Sequence, residues 1–315
     1  MSPIHEHKHD LRGSGDLSNL DVKEIIRLAI ELKRELREGK PRPLLAGKAL
    51  AMVFEKPSLR TRCTFELGMV QLGGHAVNLQ QRDIGVGQRE GARDIARNLE
   101  RWFDLVMART FSQTTVDELA EFCRVPVINA LSDFEHPCQA LADYQTLTEK
   151  AGDLKGFHLT YMGDGNNICH SLMLIGAKLG LHVTVSSPEG YEPDASVAET
   201  ARAEARDNGG SYTLERDPRA AVQDAQAIYT DVWASMGQED EADKRMEIFR
   251  PYQVNAELIT GAPGGVLIMH DLPAHRGEEI TDEVIDCPNA IVFDQAENRL
   301  HAQKAIMVFL HRACR

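Results

Sequence analysis

The sequence has few of the features that mark nucleic-acid-binding, membrane or secreted proteins. Its 315 residues include 48 acidic against 35 basic side chains, a formal charge of −13, whereas a dedicated nucleic-acid binder usually carries a basic face. The longest apolar stretches are short, as at residues 172–181, which Lys178 interrupts, so no segment is predicted to cross a bilayer. Residues 1–10 are polar and His-rich, unlike a secretory signal.

Signatures of several enzyme and metal classes are also absent. The six cysteines are scattered without a C-x-x-C pair, which is typical of reduced thiols in a cytosolic protein. No G-x-S-x-G elbow occurs, and no cysteine has an evident histidine partner, so a hydrolase is not indicated. His5, His7 and His9 lack the cysteine or carboxylate cluster that would complete a metal site, and we expect no bound metal.

The sequence does contain alternating strand and helix patterns on an ordinary globular composition, 43% hydrophobic and 26% charged. Short apolar runs predict strands at residues 48–54, 75–79, 105–108, 127–129, 157–162, 182–186, 227–229, 266–269 and 290–293. Caps and helical spacing predict helices at residues 18–39, 61–72, 90–102, 136–149, 168–179, 196–207 and 296–311. The alternation predicts an α/β fold with parallel sheets. The length suggests two domains, and the composition shifts near residue 150.

A candidate anion site lies where the first predicted strand leads into a helix, at residues 54–62. A helix N-terminus has unpaired N–H groups and a positive dipole end, which together favour phosphate. Ser58 and Thr61 add hydroxyl groups, and Arg60 adds a planar guanidinium. Because the net charge is negative, an anionic substrate would depend on such local cations. The alternative is an ordinary helix cap followed by a solvated basic face.

Two further candidates precede residue 150. His136 and Gln139 lie three positions apart at a predicted helix start, so both can face one polarised carbonyl. A buried structural histidine beside Pro137 would give the same pattern. Arg109 ends a predicted strand, which is where parallel sheets place ligands, although surface arginines are common.

Three strand ends in the second half also carry polar residues. Residues 163–167 resemble a dinucleotide loop, but Ile168 stands where the third glycine of G-x-G-x-x-G would be, so that interpretation is weak. Residues 231–237 supply a carboxylate, a hydroxyl and a glycine that could grip an amino acid and act as a lid. Residues 270–273 end a third strand. Solvated loops and capping turns are the alternatives.

Taken together, these segments resemble the aspartate/ornithine carbamoyltransferase family. The S-x-R-T-R run at residues 58–62 and the H-P-x-Q run at residues 136–139 are marks of the whole family. The D-x-x-x-S-M-G run at residues 231–237 is similar to the ornithine branch rather than the aspartate branch. Three further segments also look like the ornithine branch: residues 163–167, 191–195 and 297–299.

The resemblance implies transfer of the carbamoyl group of carbamoyl phosphate to the δ-amine of L-ornithine, giving L-citrulline and phosphate in arginine metabolism. It implies a cytoplasmic homotrimer without metal or organic cofactor, and without nucleic-acid or membrane partners. It also implies two doubly wound parallel-sheet domains joined by helices, with the active site in the interdomain cleft. Residues 1–149 would bind carbamoyl phosphate, with a C-terminal helix at about 296–315 packing back on them, and residues 150–295 would bind ornithine.

The resemblance also assigns roles to individual residues. The catalytic set would be Arg60, Thr61, His136 and Asp271. Carbamoyl phosphate would be bound by Ser58, Leu59, Arg60, Thr61, Arg109, His136, Pro137, Cys138, Gln139, Leu272 and Arg299. Ornithine would be bound by Asn167, Asp231, Ser235 and Met236.

Two positions depart from the family pattern. The strand-end motif is usually H-C-L-P, and Asp271 replaces its cysteine. That cysteine lies near the reacting amine, so an aspartate there is expected to alter amine binding or its pH dependence. A glutamine contributed by the neighbouring subunit falls on Gly85, with Gln88 close enough to substitute.

Three alternatives stay open. A related carbamoyltransferase could use putrescine, N-acetylornithine or aspartate, although putrescine has no α-carboxylate for residues 235–237 to grip. A nucleotide-binding oxidoreductase shares the fold class but requires the missing glycine fingerprint. A non-catalytic homologue would be expected to lose Arg60, His136 or Gln139, and all three are present.

Overall fold

The computed structural model describes residues 9–85, 87, 89–234 and 241–313. His5, His7, Gln88, Ser235 and Met236, named above, lie outside the described residues. The chain divides into two compact units, which we call the first unit (Met1–Gln145 with Glu297–Arg315) and the second unit (Thr146–Ala296). None of the helices in the described ranges combines the length with the apolar character that a bilayer-spanning helix needs.

The first unit is built on a four-stranded parallel sheet. Its strands are β1 (Ala49–Phe54), β2 (His75–Gln80), β3 (Leu105–Arg109) and β4 (Val127–Leu131), in the order β2-β1-β3-β4. The helices are α1 (Asn19–Arg37), α2 (Leu59–Gln71), α3 (Gln81–Ile84), α4 (Ala92–Trp102), α5 (Gln113–Phe122) and α6 (Pro137–Ala151), preceded by a 3₁₀ turn at Ser14–Asp16. Residues of α6 from Thr146 onward belong to the second unit.

The second unit has a five-stranded parallel sheet. Its strands are β5 (His158–Met162), β6 (His182–Ser186), β7 (Ser211–Leu214), β8 (Ala227–Thr230) and β9 (Leu267–His270), in the order β7-β6-β5-β8-β9. The helices are α7 (Asn167–Leu179), α8 (Ala195–Asn208), α9 (Pro218–Ala221), α10 (Ala242–Phe249), α11 (Ala256–Ile259), α12 (Asp282–Ile285) and α13 (Val292–Ala313), with a 3₁₀ turn at Arg250–Tyr252. Residues of α13 from Glu297 onward belong to the first unit.

Burial explains why the central strands read as continuous apolar runs. In β1, the side chains from Leu50 to Val53 have no exposed surface, because helices cover both faces of a parallel sheet. On one face of the first sheet, Ala51 and Val53 pack with Ile95, Leu99 and Val106. The strand order reverses between β1 and β3 in the first unit and between β5 and β8 in the second. Doubly wound sheets bind ligands at the carboxyl ends of the strands at such reversals.

The predicted fold class is confirmed: two domains, each with a parallel sheet flanked by helices. The predicted strand at residues 290–293 is wrong, because Val292 already begins α13. Only Ala290 forms a bridge, to Ile268 on β9. The short helix α5 and the edge strand β7 were not predicted.

Candidate active site

The turn between β1 and α2 carries the first group of predicted site residues. Ser58 caps α2, its Oγ accepting a hydrogen bond from the Thr61 backbone N–H at 3.2 Å. Thr61 is fully buried, Arg60 is partly buried and Leu59 is 76% exposed. The capped helix start therefore directs backbone N–H groups, a hydroxyl and a guanidinium toward the carboxyl end of the sheet.

Two buried arginines converge on Thr61 within the first unit. Arg109, at the end of β3, donates from Nη1 to Thr61 Oγ1 at 3.5 Å. Arg299, on α13, donates from Nη2 to the same oxygen at 2.9 Å and from Nη1 to Gln139 Oε1. Gln139 in turn donates from Nε2 to Asp143 Oδ1 at 2.9 Å. The predicted residues Thr61, Arg109, Gln139 and Arg299 therefore form one connected hydrogen-bonded group.

His136 joins this group through electrostatics. It is buried directly before α6, and burial, reinforced by the charges of Arg299, Arg109 and Arg60, holds its pKa well below the usual range. A neutral imidazole at pH 7 can donate a hydrogen bond to a polarised oxygen, but it has no additional proton to transfer as a general acid. The position of His136 beside three guanidinium groups suits an anionic or carbonyl-bearing ligand.

The two residues after His136 have local roles. Pro137 is the first residue of α6, where a missing N–H costs nothing. The Cys138 thiol donates to the Asn129 carbonyl at 3.3 Å, and burial raises its pKa to about 12. Since the thiol is protonated and already bonded, only the backbone of Cys138 is left to meet a ligand.

In the second unit, the loop after β5 meets the end of β8. Asn166 caps α7, accepting from the N–H groups of Ile168 and Cys169. Its Nδ2 donates to Asp231 Oδ2 at 2.7 Å, while the Val232 N–H donates to Asp231 Oδ1 at 2.7 Å. The predicted Asn167 is the first residue of α7. Asn166 itself was not among the predicted site residues, although an asparagine before a helix is a capping signal.

Asp231 also adjoins the strand-end motif of β9. Candidate ligand atoms of Asp231, His270 and Asp271 all lie within 4.8 Å of one another. The His270 ring lies between two carboxylates, with Nε2 3.0 Å from Glu279 Oε1 and Nδ1 3.5 Å from Asp271 Oδ1. Burial lowers the pKa of His270, but these two carboxylates outweigh it and raise that pKa to about 10. Leu272 has a φ of 59°, a strained conformation for a non-glycine residue that is often found at functional sites.

The pKa values of the two neighbouring aspartates are shifted in opposite directions. Burial, reinforced by the neighbouring charge of Asp271, raises the pKa of Asp231 well above its usual range. For Asp271, burial acts in the same direction, but the hydrogen bond and charge of His270 outweigh it, and the pKa is lowered. Burial and the neighbouring carboxylate thus disfavour an ionised Asp231, whereas His270 favours an ionised Asp271.

Among the residues that the structure describes, two groups of side chains bring candidate metal ligands together, and neither is assigned as a metal site. Asp231, His270 and Asp271 form one, and His275, Glu278 and Glu279 form the other. Both oxygens of Asp231 accept protein hydrogen bonds, and Glu279 Oε1 accepts from both His270 Nε2 and the His275 N–H.

The departure at Gly85 has a conformational reason. Its φ is +61°, and a Cβ at this position would lie 2.7 Å from the Cβ of Arg89. A glutamine at position 85 would therefore be strained in this turn.

Comparison with known proteins places the chain in a family. Residues 9–149 match the model described as aspartate/ornithine carbamoyltransferase, carbamoyl-P binding domain, and residues 155–310 match the corresponding Asp/Orn binding domain. The chain belongs to the aspartate/ornithine carbamoyltransferase family.

Individual relatives are similar over nearly their whole length. Ornithine carbamoyltransferase of Pyrococcus horikoshii is 54% identical, covering 96% of this chain and 95% of the relative. The solved ornithine carbamoyltransferase from Pyrococcus furiosus is 53% identical with a TM-score of 0.93, covering 96% of this chain and 97% of that one. The enzyme from Thermus thermophilus is 44% identical with a TM-score of 0.86, covering 96% and 98%.

Proposed function

We propose that this chain is an ornithine carbamoyltransferase, which transfers the carbamoyl group of carbamoyl phosphate to the δ-amine of L-ornithine and releases L-citrulline and phosphate. The observation that carries the proposal is the convergence of Arg109 and Arg299 on Thr61 beside neutral His136. Buried cations with neutral hydrogen-bonding groups favour a phosphorylated, carbonyl-bearing substrate.

The first unit supplies all of the proposed carbamoyl phosphate ligands except Leu272, which belongs to the second unit. The phosphate lies at the start of α2 against Ser58, Leu59, Arg60, Thr61 and Arg109, where backbone N–H groups and guanidinium groups match its oxygens. The carbamoyl group contacts the other residues assigned to carbamoyl phosphate: His136, Pro137, Cys138, Gln139, Leu272 and Arg299. Arg60, Thr61 and His136 donate to the carbamoyl oxygen, on which negative charge develops in the transition state.

The second unit binds the acceptor. Asn167, Asp231, Ser235 and Met236 hold the α-amino and α-carboxylate groups of ornithine. Asp271 lies next to Asp231 and contributes a second carboxylate to the amine-binding region.

The reaction then needs no cofactor. The neutral δ-amine attacks the carbamoyl carbon and a tetrahedral intermediate forms. The C–O bond to phosphate then breaks, and the attacking nitrogen loses one proton, which the departing phosphate accepts. An amine of this type has a pKa near ~10.4 in water, so the site must select or generate its minority neutral form. Holding both substrates in a fixed orientation lowers the activation free energy of the transfer.

Assembly, location and metabolic setting follow the family. We propose a cytoplasmic homotrimer that functions in arginine biosynthesis. The description of the Pyrococcus furiosus relative as anabolic supports this direction.

The test is product formation by the purified full-length chain with carbamoyl phosphate and four acceptors in parallel: L-ornithine, putrescine, N-acetyl-L-ornithine and L-aspartate. Preference for L-ornithine is the expected result. Preference for another amine would replace the acceptor and keep the carbamoyl phosphate site. No product with any acceptor, together with no calorimetric binding of carbamoyl phosphate, would indicate a non-catalytic homologue.

A further inference from the structure

A buried arginine outside the predicted site ties two of its loops together. Arg245 lies on α10, and only 7% of its side chain is exposed. Its Nη1 donates to Asp164 Oδ2 at 2.8 Å and to the Trp233 backbone carbonyl at 2.8 Å. One guanidinium group therefore bonds to the loop after β5 and to the segment after β8.

Those two segments supply the central hydrogen bond of the acceptor region. Asp164 precedes Asn166 by two residues, and Trp233 follows Asp231 by two residues. Asn166 Nδ2 donates to Asp231 Oδ2 at 2.7 Å, at the reversal of strand order between β5 and β8. Arg245 therefore connects the two segments that carry Asn166 and Asp231.

The surroundings of Arg245 allow it little freedom. Its guanidinium carbon lies 5.0 Å from the ring centroid of Tyr191 and 5.9 Å from that of Phe249, within cation–π range. The loop that carries Asp164 packs tightly against the backbone at Pro193, because a Cβ on Gly165 would lie only 2.2 Å from the Pro193 nitrogen. Buried ion pairs contribute little net stability but can fix one geometry, and an ion pair that joins two binding loops suits such a role.

We propose that Arg245 is the positioning residue of the acceptor site: by bonding to Asp164 and to the Trp233 carbonyl together, it holds Asn166 and Asp231 in the arrangement that binds ornithine. This inference rests on the proposed function. Arg245 touches none of the reacting atoms, and it acts through the two loops. Lysine lacks the planar, multiply donating head group and the stacking surface, so it is expected to replace arginine only in part.

The test compares Arg245→Met, Arg245→Lys and Asp164→Asn with the unchanged chain. We expect KM for L-ornithine to rise about tenfold or more in Arg245→Met and less in Arg245→Lys. KM for carbamoyl phosphate should stay within about twofold, because its proposed ligands on α2, β3 and α6 belong to the first unit. The matched control is Arg219→Met, since Arg219 is a 76% exposed arginine of the same unit that also pairs with a carboxylate, Glu257.

Asp164→Asn keeps the shape of the loop and removes one charge, so it tests the idea if Arg245→Met fails to fold. A larger ornithine KM in Asp164→Asn supports the proposal. Equal rises in both KM values, or a fall in kcat with the ornithine KM unchanged, would overturn it. If the unchanged chain makes no citrulline, the proposed function fails, and the dissociation constant of L-ornithine measured by calorimetry still decides the role of Arg245.

Discussion

The two units have similar parallel sheets but place side chains of opposite charge at the ends of the strands. In each, a parallel sheet reverses its strand order, between β1 and β3 or between β5 and β8, and polar side chains follow the strand ends beside the reversal. The first unit brings Arg60, Arg109 and Arg299 to that place, whereas the second brings Asp231 and Asp271. The topology fixes where a ligand binds, and a few side chains decide whether that ligand is an anion or a cation.

Burial disfavours the charged form of one titratable side chain in each unit. In the first unit, burial together with three guanidinium groups disfavours a protonated His136. In the second, burial together with a neighbouring carboxylate disfavours an ionised Asp231. The arginines thus oppose a positive charge on His136, and the neighbouring carboxylate opposes a negative charge on Asp231, so an oppositely charged ligand relieves the repulsion in each site.

The largest expected effect is in the first unit. Arg60→Ala should lower kcat by about 10²–10³, the usual cost of losing one donor to a developing oxyanion. The free energy of unfolding should change little, because Arg60 is only partly buried. Steady-state citrulline formation and urea unfolding measure the two quantities. Arg27→Ala is the control, since Arg27 is 61% exposed and pairs with glutamates of its own helix. Near-normal turnover of Arg60→Ala would contradict the assignment.

A substitution of Asp231 in the second unit should have a smaller effect, on the binding of L-ornithine rather than on kcat. Asp231→Asn keeps the shape and removes the group that can become a carboxylate against the ornithine cation, so we expect the KM for L-ornithine to rise about 10–100-fold, the range for a hydrogen bond to a charged group. Calorimetric affinity for carbamoyl phosphate should be unchanged. A loss of carbamoyl phosphate binding in Asp231→Asn would show that the two half-sites are not chemically separate.

The smallest effect concerns proton release. Because burial and the charge of Asp271 raise the pKa of Asp231, binding of the ornithine cation should favour loss of the Asp231 proton. Affinity for L-ornithine should therefore rise with pH, by up to about tenfold per unit, below the pKa of the empty site. Asp271→Asn removes the charge that raises the pKa of Asp231, so binding should release less than half as much proton at pH 7. Calorimetry in two buffers of different ionisation enthalpy counts the protons. Equal release by both proteins would mean that Asp271 does not control this titration.

Much of the fold was predictable because buried parallel strands leave continuous apolar runs. The exceptions are informative. β7 buries only Tyr212 well, since it is an edge strand of four residues. α5 is short and buries three small or medium side chains. Residues 290–293 look like a buried strand, yet Val292 begins a 22-residue helix whose length outweighs the local pattern.

The local parts of the candidate site were likewise visible in the sequence. Ser58 and Thr61 stand at a capped helix start, and His136 stands directly before another. No spacing rule could place Arg299 against Thr61, which is 238 positions away, or pair Arg245 with Asp164, 81 positions away. Such contacts arise from the tertiary fold, and the family resemblance supplied Arg299 but not Arg245.

The position of Arg299 bears on how the protein is made. A ribosome must synthesise all of residues 146–296 before it adds the guanidinium that contacts Thr61. At about 5–20 residues per second, the N-terminal sheet can emerge many seconds earlier. During that interval the nascent chain has a sheet able to fold but an anion site lacking one of its cations. Competence for the phosphorylated substrate is therefore acquired only after Arg299 has been added to the chain.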